Sequence, residues 1–291
     1  MGEIVGAGLV SHAPTIMFDE PVRRELNDGK EISLVPGLVR LKDEVLTRLQ
    51  PDTIVVLDTH WFTTVEHVVA AQERREGRMT SSELPRGMKQ VPYAFDGDPQ
   101  LARLIEKHGN ELGTPTHAED DPHLPVYYAT VNLVHYLHQD ERWVSVSIVQ
   151  TGEDDDFLTL GRAIGDAVAA SDRRVVVLAS GGMSHTFHPL KELTKHEASD
   201  PSHIVTPQAR AADEERIEWM LAGDHAKVID RMPEYHPHAP EGGFGHYLAM
   251  AAAIGGRDCR APGELFSDYE NATGTGQVHV WFERPEGGWT A

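Results

Sequence analysis

A single cysteine, Cys259, among 291 residues excludes an internal disulfide framework and every zinc motif built on paired thiolates. Basic residues are scarce: 26 Lys and Arg against 46 Asp and Glu give a formal net charge of −20. Such a chain repels phosphate backbones and anionic lipid, which argues against nucleic acid and membrane surfaces as partners. No apolar run approaches the roughly 18 to 20 residues that cross a bilayer. The apolar stretch 1–13 has no basic leader, so the expected location is cytoplasmic. Several catalytic signatures are missing as well: no Walker loop, no Gly-x-Ser-x-Gly elbow, no His-Glu-x-x-His. Gly6-Ala7-Gly8 lies inside an apolar run rather than after it, and the third glycine of a dinucleotide fingerprint is lacking.

What remains is a globular composition, 40% hydrophobic and 25% charged, that stands out for its 17 histidines. Runs rich in Val and Ile predict buried strands at 4–10, 53–57, 67–71, 143–149 and 174–179, with 278–282 as an edge strand. Helical spacing appears between them. Leu38, Leu41, Val45 and Leu49 mark one face, ended by Pro51. Leu101, Leu104 and Ile105 follow the cap pair Asp98-Pro99, and Phe157, Leu160, Ile164 and Val168 follow the acidic residues 153–156. Short helices are expected around 217–221 and 228–229. The nearly all-apolar stretch 247–254, closed by Gly255-Gly256, predicts a buried helix. Alternating strands and helices imply an α/β fold, a central mostly parallel sheet flanked by helices, as one domain over 1–291. The stretches 73–98 and 196–208 read as long irregular loops, a usual place for active-site segments.

Three of the predicted strands run into histidine. The first leads to His12, the second to His60 and a later one to His185. Ligands of open parallel sheets bind beyond the carboxyl ends of the strands, so three imidazoles there converge in space. Taken singly, each is more often a capping or hydrogen-bonded residue than a ligand. Without thiolates, the remaining metal partner is a carboxylate, and Glu241 in the Gly/Pro-rich stretch before the buried helix is the leading candidate. Two His and one carboxylate suit non-haem Fe(II) oxygenases and also zinc hydrolases, and spacing does not separate the two.

The residues also carry a resemblance. Ser11-His12-Ala13-Pro14, Asp58-Thr59-His60-Trp61 and the run from Ala179 to His185 resemble the class III extradiol ring-cleavage dioxygenases, the superfamily of the protocatechuate 4,5-dioxygenase catalytic subunit. The stretches 80–85, 93–97 and 274–278 are similar to its homoprotocatechuate (3,4-dihydroxyphenylacetate) 2,3-dioxygenase branch. The resemblance implies His12, His60 and Glu241 as ligands of Fe(II), and His185 as the acid–base residue beside the oxygen site. Tyr128 stands where many members carry a second active-site histidine, and His123, close by in sequence, is the candidate substitute. By the same resemblance the substrates are a catechol, foremost 3,4-dihydroxyphenylacetate, and O2, and the assembly is a homo-oligomer. A cation or donors for the substrate's carboxylate are expected from His236, His238 or His246. Two rival readings stand: a zinc-dependent hydrolase with the same ligands, and a non-enzymatic metal-binding relative.

Overall fold

The structure, a computed structural model, describes residues 1–290. Its strands are β1 (Glu3–Val10), β2 (Thr53–Thr63), β3 (His67–Ala70), β4 (Arg74–Met79), β5 (Val91–Asp96), β6 (Thr116–Glu119), β7 (Arg142–Val149), β8 (Arg174–Ser180), β9 (Gly263–Leu265), β10 (Glu270–Ala272), β11 (Thr275–Gln277) and β12 (Val280–Glu283). Eight of them form one sheet in the order β6-β3-β7-β2-β8-β1-β12-β9. The central strands β7, β2, β8 and β1 are parallel, while β12 and β9 extend the sheet antiparallel beyond β1.

The Val/Ile runs fold this way because both faces of the central strands are covered. Val55 and Leu57 of β2 enter one apolar layer, and Ile54 and Val56 enter the other. β8 divides likewise, with Val175 and Val177 opposed to Val176 and Leu178. The helices Asp154–Ala170 and Gly245–Ala253 close the first layer, and Leu34–Arg40 and Tyr128–Leu137 close the second. Each such side chain contributes roughly 1.5–3 kcal/mol on burial. Helix starts follow the local chemistry. Glu153 and Asp156 form a capping box, and Asp98 accepts a hydrogen bond from the Leu101 amide at 3.1 Å. Gln50, at φ 45°, ends the segment before Pro51.

Three expectations change. β12 is not an edge strand, since β9 pairs along its outer side. The stretch 73–98 contains the hairpin β4–β5, paired from Arg74↔Asp96 to Met79↔Val91. Its residues are mostly exposed, so no apolar alternation announces it. The helix Tyr128–Leu137 is buried on nearly every side and therefore has no periodic stripe to read. Gly6 and Gly8 have a packing role, because a Cβ on Gly6 would lie 2.2 Å from the indole of Trp281 on β12. Among the described residues no helix is long and apolar enough to cross a membrane.

Buried histidines give the fold an acid limit. Burial lowers His67, His246 and His279 from 6.5 to about 4 each. Between those values the unfolded chain binds more protons than the folded one, so stability falls as pH drops from 6.5 toward 4. Three such groups set a slope of up to about 4 kcal/mol per pH unit. Chemical denaturation at pH 7, 6 and 5 checks this: the midpoint is expected to fall steadily, and a flat series would contradict it.

Candidate metal centre and cavity

β2, β8 and β1 are adjacent and parallel, so their carboxyl ends lie side by side. His12 follows β1, His185 follows β8, and His60 sits on the extended end of β2. The register of β2 against β7 shifts between Asp58 and Phe62, a bulge that redirects the chain at His60. The buried Asp58 carboxylate stabilises that bulge. One oxygen accepts from the amides of His60 (2.9 Å) and Trp61 (3.1 Å). The other accepts from the Thr130 amide (3.1 Å) and hydroxyl (2.7 Å), which ties His60 to the helix that begins with Tyr128.

His12 is oriented by two contacts. Its Nδ1 lies 2.9 Å from Ser180 Oγ, and its carbonyl accepts from Asn132 Nδ2 at 2.8 Å. Glu241 comes from a short turn, Glu241–Phe244, in which Gly242 and Gly243 have φ of 54° and 63°, the left-handed region that favours glycine. The Glu241 amide donates to Met183 O at 3.0 Å, and its carboxylate accepts from Thr59 Oγ1 and, at 2.5 Å, from the Gly182 amide.

These supports converge. Nε2 of His12 and Nε2 of His60 each lie 3.5 Å from the same oxygen, Glu241 Oε1. The candidate ligand atoms of the three residues lie within 4.8 Å of one another. Donors on one ion at about 2.1 Å stand about 3 Å apart, so a small contraction closes the set on a cation. Burial raises the Glu241 pKa, but the imidazoles of His185, His12 and His60 outweigh it and hold the carboxyl well below its usual range. The donor set therefore fits a divalent metal: two imidazoles, one carboxylate, and a second tier of Ser180, Thr59 and Gly182 fixing their orientation.

His185 stands beside this triad. Its Nδ1 is 3.4 Å from Glu241 Oε2 but not aligned for a hydrogen bond, which leaves Nε2 open to the cavity. Burial lowers its pKa. Tyr128 joins the site as well: its hydroxyl is 2.5 Å from His60 Nε2 and donates to Glu83 Oε2 at 2.9 Å. Glu83 remains a partner for that hydroxyl when His60 Nε2 binds a cation. His123 does not reach the site. It is exposed on the connection between β6 and the Tyr128 helix, where its amide bonds Asp121, and it does not line the cavity. His236, His238 and His246 are also elsewhere. His236 pairs with Asp154 at 3.0 Å, His238 is only half-buried away from the cavity wall, and His246 is buried against Gly181.

Two residues escaped the sequence reading. Glu83 lies in the 80–85 segment, whose resemblance marks the segment but assigns it no chemistry. Asp213 opens the acidic stretch Asp213-Glu214-Glu215, yet it is fully buried. It accepts from the Ser184 amide (3.0 Å) and hydroxyl (2.7 Å), Tyr235 (2.7 Å) and Tyr269 (2.6 Å), and so holds the segment that carries His185. His12, His60, Glu83, Tyr128, His185 and Glu241 share a cavity of about 300 Å³. A larger open groove, about 880 Å³, runs past Phe157 and Arg257 and contains none of these six.

Residues 6–283 match the family described as the catalytic LigB subunit of aromatic ring-opening dioxygenase. The chain belongs to this family, the class III extradiol dioxygenases. Among curated relatives, a 3,4-dihydroxyphenylacetate 2,3-dioxygenase of Escherichia coli is 29% identical over 265 residues, 89% of this chain and 92% of that one. A 2-aminophenol 1,6-dioxygenase beta subunit of a Pseudomonas species is 26% identical, covering 96% of this chain and 93% of that one. An uncharacterized protein of Escherichia coli K12 shares the fold, with a TM-score of 0.63 at 17% identity over 96% of this chain and 99% of the other. As a member of this family the chain is an extradiol ring-cleaving dioxygenase of catechols.

Proposed function

We propose that the chain cleaves a catechol beside one of its hydroxyls, with O2 as co-substrate and Fe(II) held by His12, His60 and Glu241. One observation carries this reading: two imidazole nitrogens and His185 surround a single buried carboxylate on the wall of one cavity. Two neutral ligands and one anionic ligand on one side leave adjacent positions for both substrates, an arrangement used by ferrous oxygenases. Ferrous iron held by His12, His60 and Glu241 would supply a redox-active centre able to relay electron density from a catecholate to O2.

The side chains supply the proton chemistry and the geometry. His185 Nε2, open to the cavity, accepts a proton as the catechol binds and returns it where the oxygen bond breaks. General acid–base help of this kind is worth about 10² to 10⁴ in rate. Tyr128 keeps His60 in place by ring contact, 4.0 Å between centroids, and its hydroxyl, on turning from Glu83, offers an O–H to a substrate oxygen. Holding both reactants in one enclosed site makes their meeting intramolecular. 3,4-Dihydroxyphenylacetate, the substrate in the Escherichia coli relative's name, is the first catechol to try and would give a 2-hydroxymuconic semialdehyde product. A cytoplasmic homo-oligomer completes the reading.

The test is reconstitution with Fe(II) without oxygen, then addition of a panel of catechols in air. A yellow ring-opened product is expected with iron and not with zinc. Zinc at full occupancy in the purified protein, with no turnover after iron reconstitution, would favour the hydrolase reading. Tight metal binding with no catechol consumed under either metal would favour the non-enzymatic one.

A further inference from the structure

The cavity lining is of two kinds. Beside the metal triad, His185 and Tyr128 it carries the apolar residues Ala13, Pro14, Leu84, Phe187, Leu193 and Ala272. Of its other polar members, Thr273, Thr275 and Gln277 are turned to internal partners, while Thr15 adds one hydroxyl to the lining. The Thr273 and Thr275 hydroxyls both donate to Ala272 O at 2.8 Å. The Gln277 amide donates to Thr275 Oγ1 at 2.8 Å, and its oxygen accepts from Ser11 Oγ at 2.5 Å. No Lys or Arg among the described residues lines the cavity. Lys195, close in sequence to Leu193, is paired with Glu192 at 2.5 Å. The charged group that does face the space beyond the metal ligands is a carboxylate, Glu83.

Resting on the proposed ring cleavage, we infer that the preferred catechol carries an uncharged ring substituent, or none, and that a side-chain carboxylate is disfavoured. The ring's two oxygens are drawn to the metal ligands, so a substituent meets the rest of the lining, which is mostly apolar. A carboxylate there leaves water for a mostly apolar surface without Lys or Arg and with few free hydroxyl donors, which is costly. Glu83 and the net charge of −20 add repulsion of the same sign. A methyl, an amide or a hydrogen meets no such opposition. The three histidines assigned to the carboxylate by sequence reasoning lie outside the cavity, which removes the expected counter-charge.

A matched pair tests this without a change of size: 3,4-dihydroxyphenylacetate and its amide, 3,4-dihydroxyphenylacetamide. Calorimetric titration of the Fe(II)-loaded protein without oxygen is expected to give about 10-fold tighter binding for the amide, with kcat/KM in air following the same order. Leu193→Arg, which places a guanidinium in the apolar lining, should reverse the ratio toward the acid. Equal or tighter binding of the acid by the unaltered protein overturns the inference, whether the counter-charge comes from this chain or from another subunit. An unchanged ratio in Leu193→Arg of unaltered fold by circular dichroism also counts against it. Absence of a yellow product from both compounds would sink the ring-cleavage reading instead, while the binding ratio still reports on the wall.

Discussion

Glu241→Ala is expected to strip the protein of its metal. The substitution removes the only anionic ligand from the triad and leaves two neutral imidazoles, His12 and His60, held by Ser180 and the β2 bulge. Changes to groups that merely orient a ligand typically weaken metal binding 10- to 100-fold. Loss of the ligand itself should exceed the upper figure of about 100-fold. Iron content after gel filtration, measured beside circular dichroism, is the check. Glu241→Gln supplies the control, because it keeps the size of the side chain and an oxygen for one of the two hydrogen bonds, from Thr59 to Oε1 or from the Gly182 amide to Oε2, while removing the charge. Both variants should be poor in metal and inactive. Full iron occupancy in either would move the third ligand to another acid.

His185→Phe should separate binding from chemistry. His185 lies outside the triad, so iron content is expected to stay close to that of the unaltered protein, while anaerobic catechol binding loses only the help of its proton acceptor. Ring cleavage should fall about 10²- to 10⁴-fold, the usual worth of a positioned acid–base group. Phenylalanine is a suitable replacement because Phe187 already stacks edge-on against this ring at 5.1 Å between centroids. The assignment fails if turnover persists at more than a tenth of the original rate. Loss of iron would point instead to a ligand role.

The central strands and the candidate site residues His12, His60, His185 and Glu241 were legible in the chain itself. Val/Ile runs of strand length register as buried strands because their apolar faces must be covered, and His12, His60 and His185 lie at or beyond their ends. Glu241 was legible for a different reason: glycines at 242 and 243 announce a turn that other residues rarely adopt. The resemblance to extradiol dioxygenases then converted positions into expected roles. Tyr128 was named from that resemblance alone, since the helix it opens carries no periodic signal.

Pattern along a chain reports which side of an element is buried; it does not report which distant segments meet there. Tertiary structure therefore decided between Tyr128 and His123, which lie five positions apart but on opposite sides of the surface. It brought Glu83 from the β4–β5 loop to the Tyr128 hydroxyl, and it buried Asp213 beneath Ser184. It also sent His236, His238 and His246 away from the cavity and left its lining without Lys or Arg. The sequence by itself determined the sheet, the strand-end histidines and the inward glutamate, because hydrophobic period and glycine conformation are local physics. The proton partners and the character of the substrate wall came only with the folded chain, because they depend on contacts between segments separated by tens to hundreds of residues.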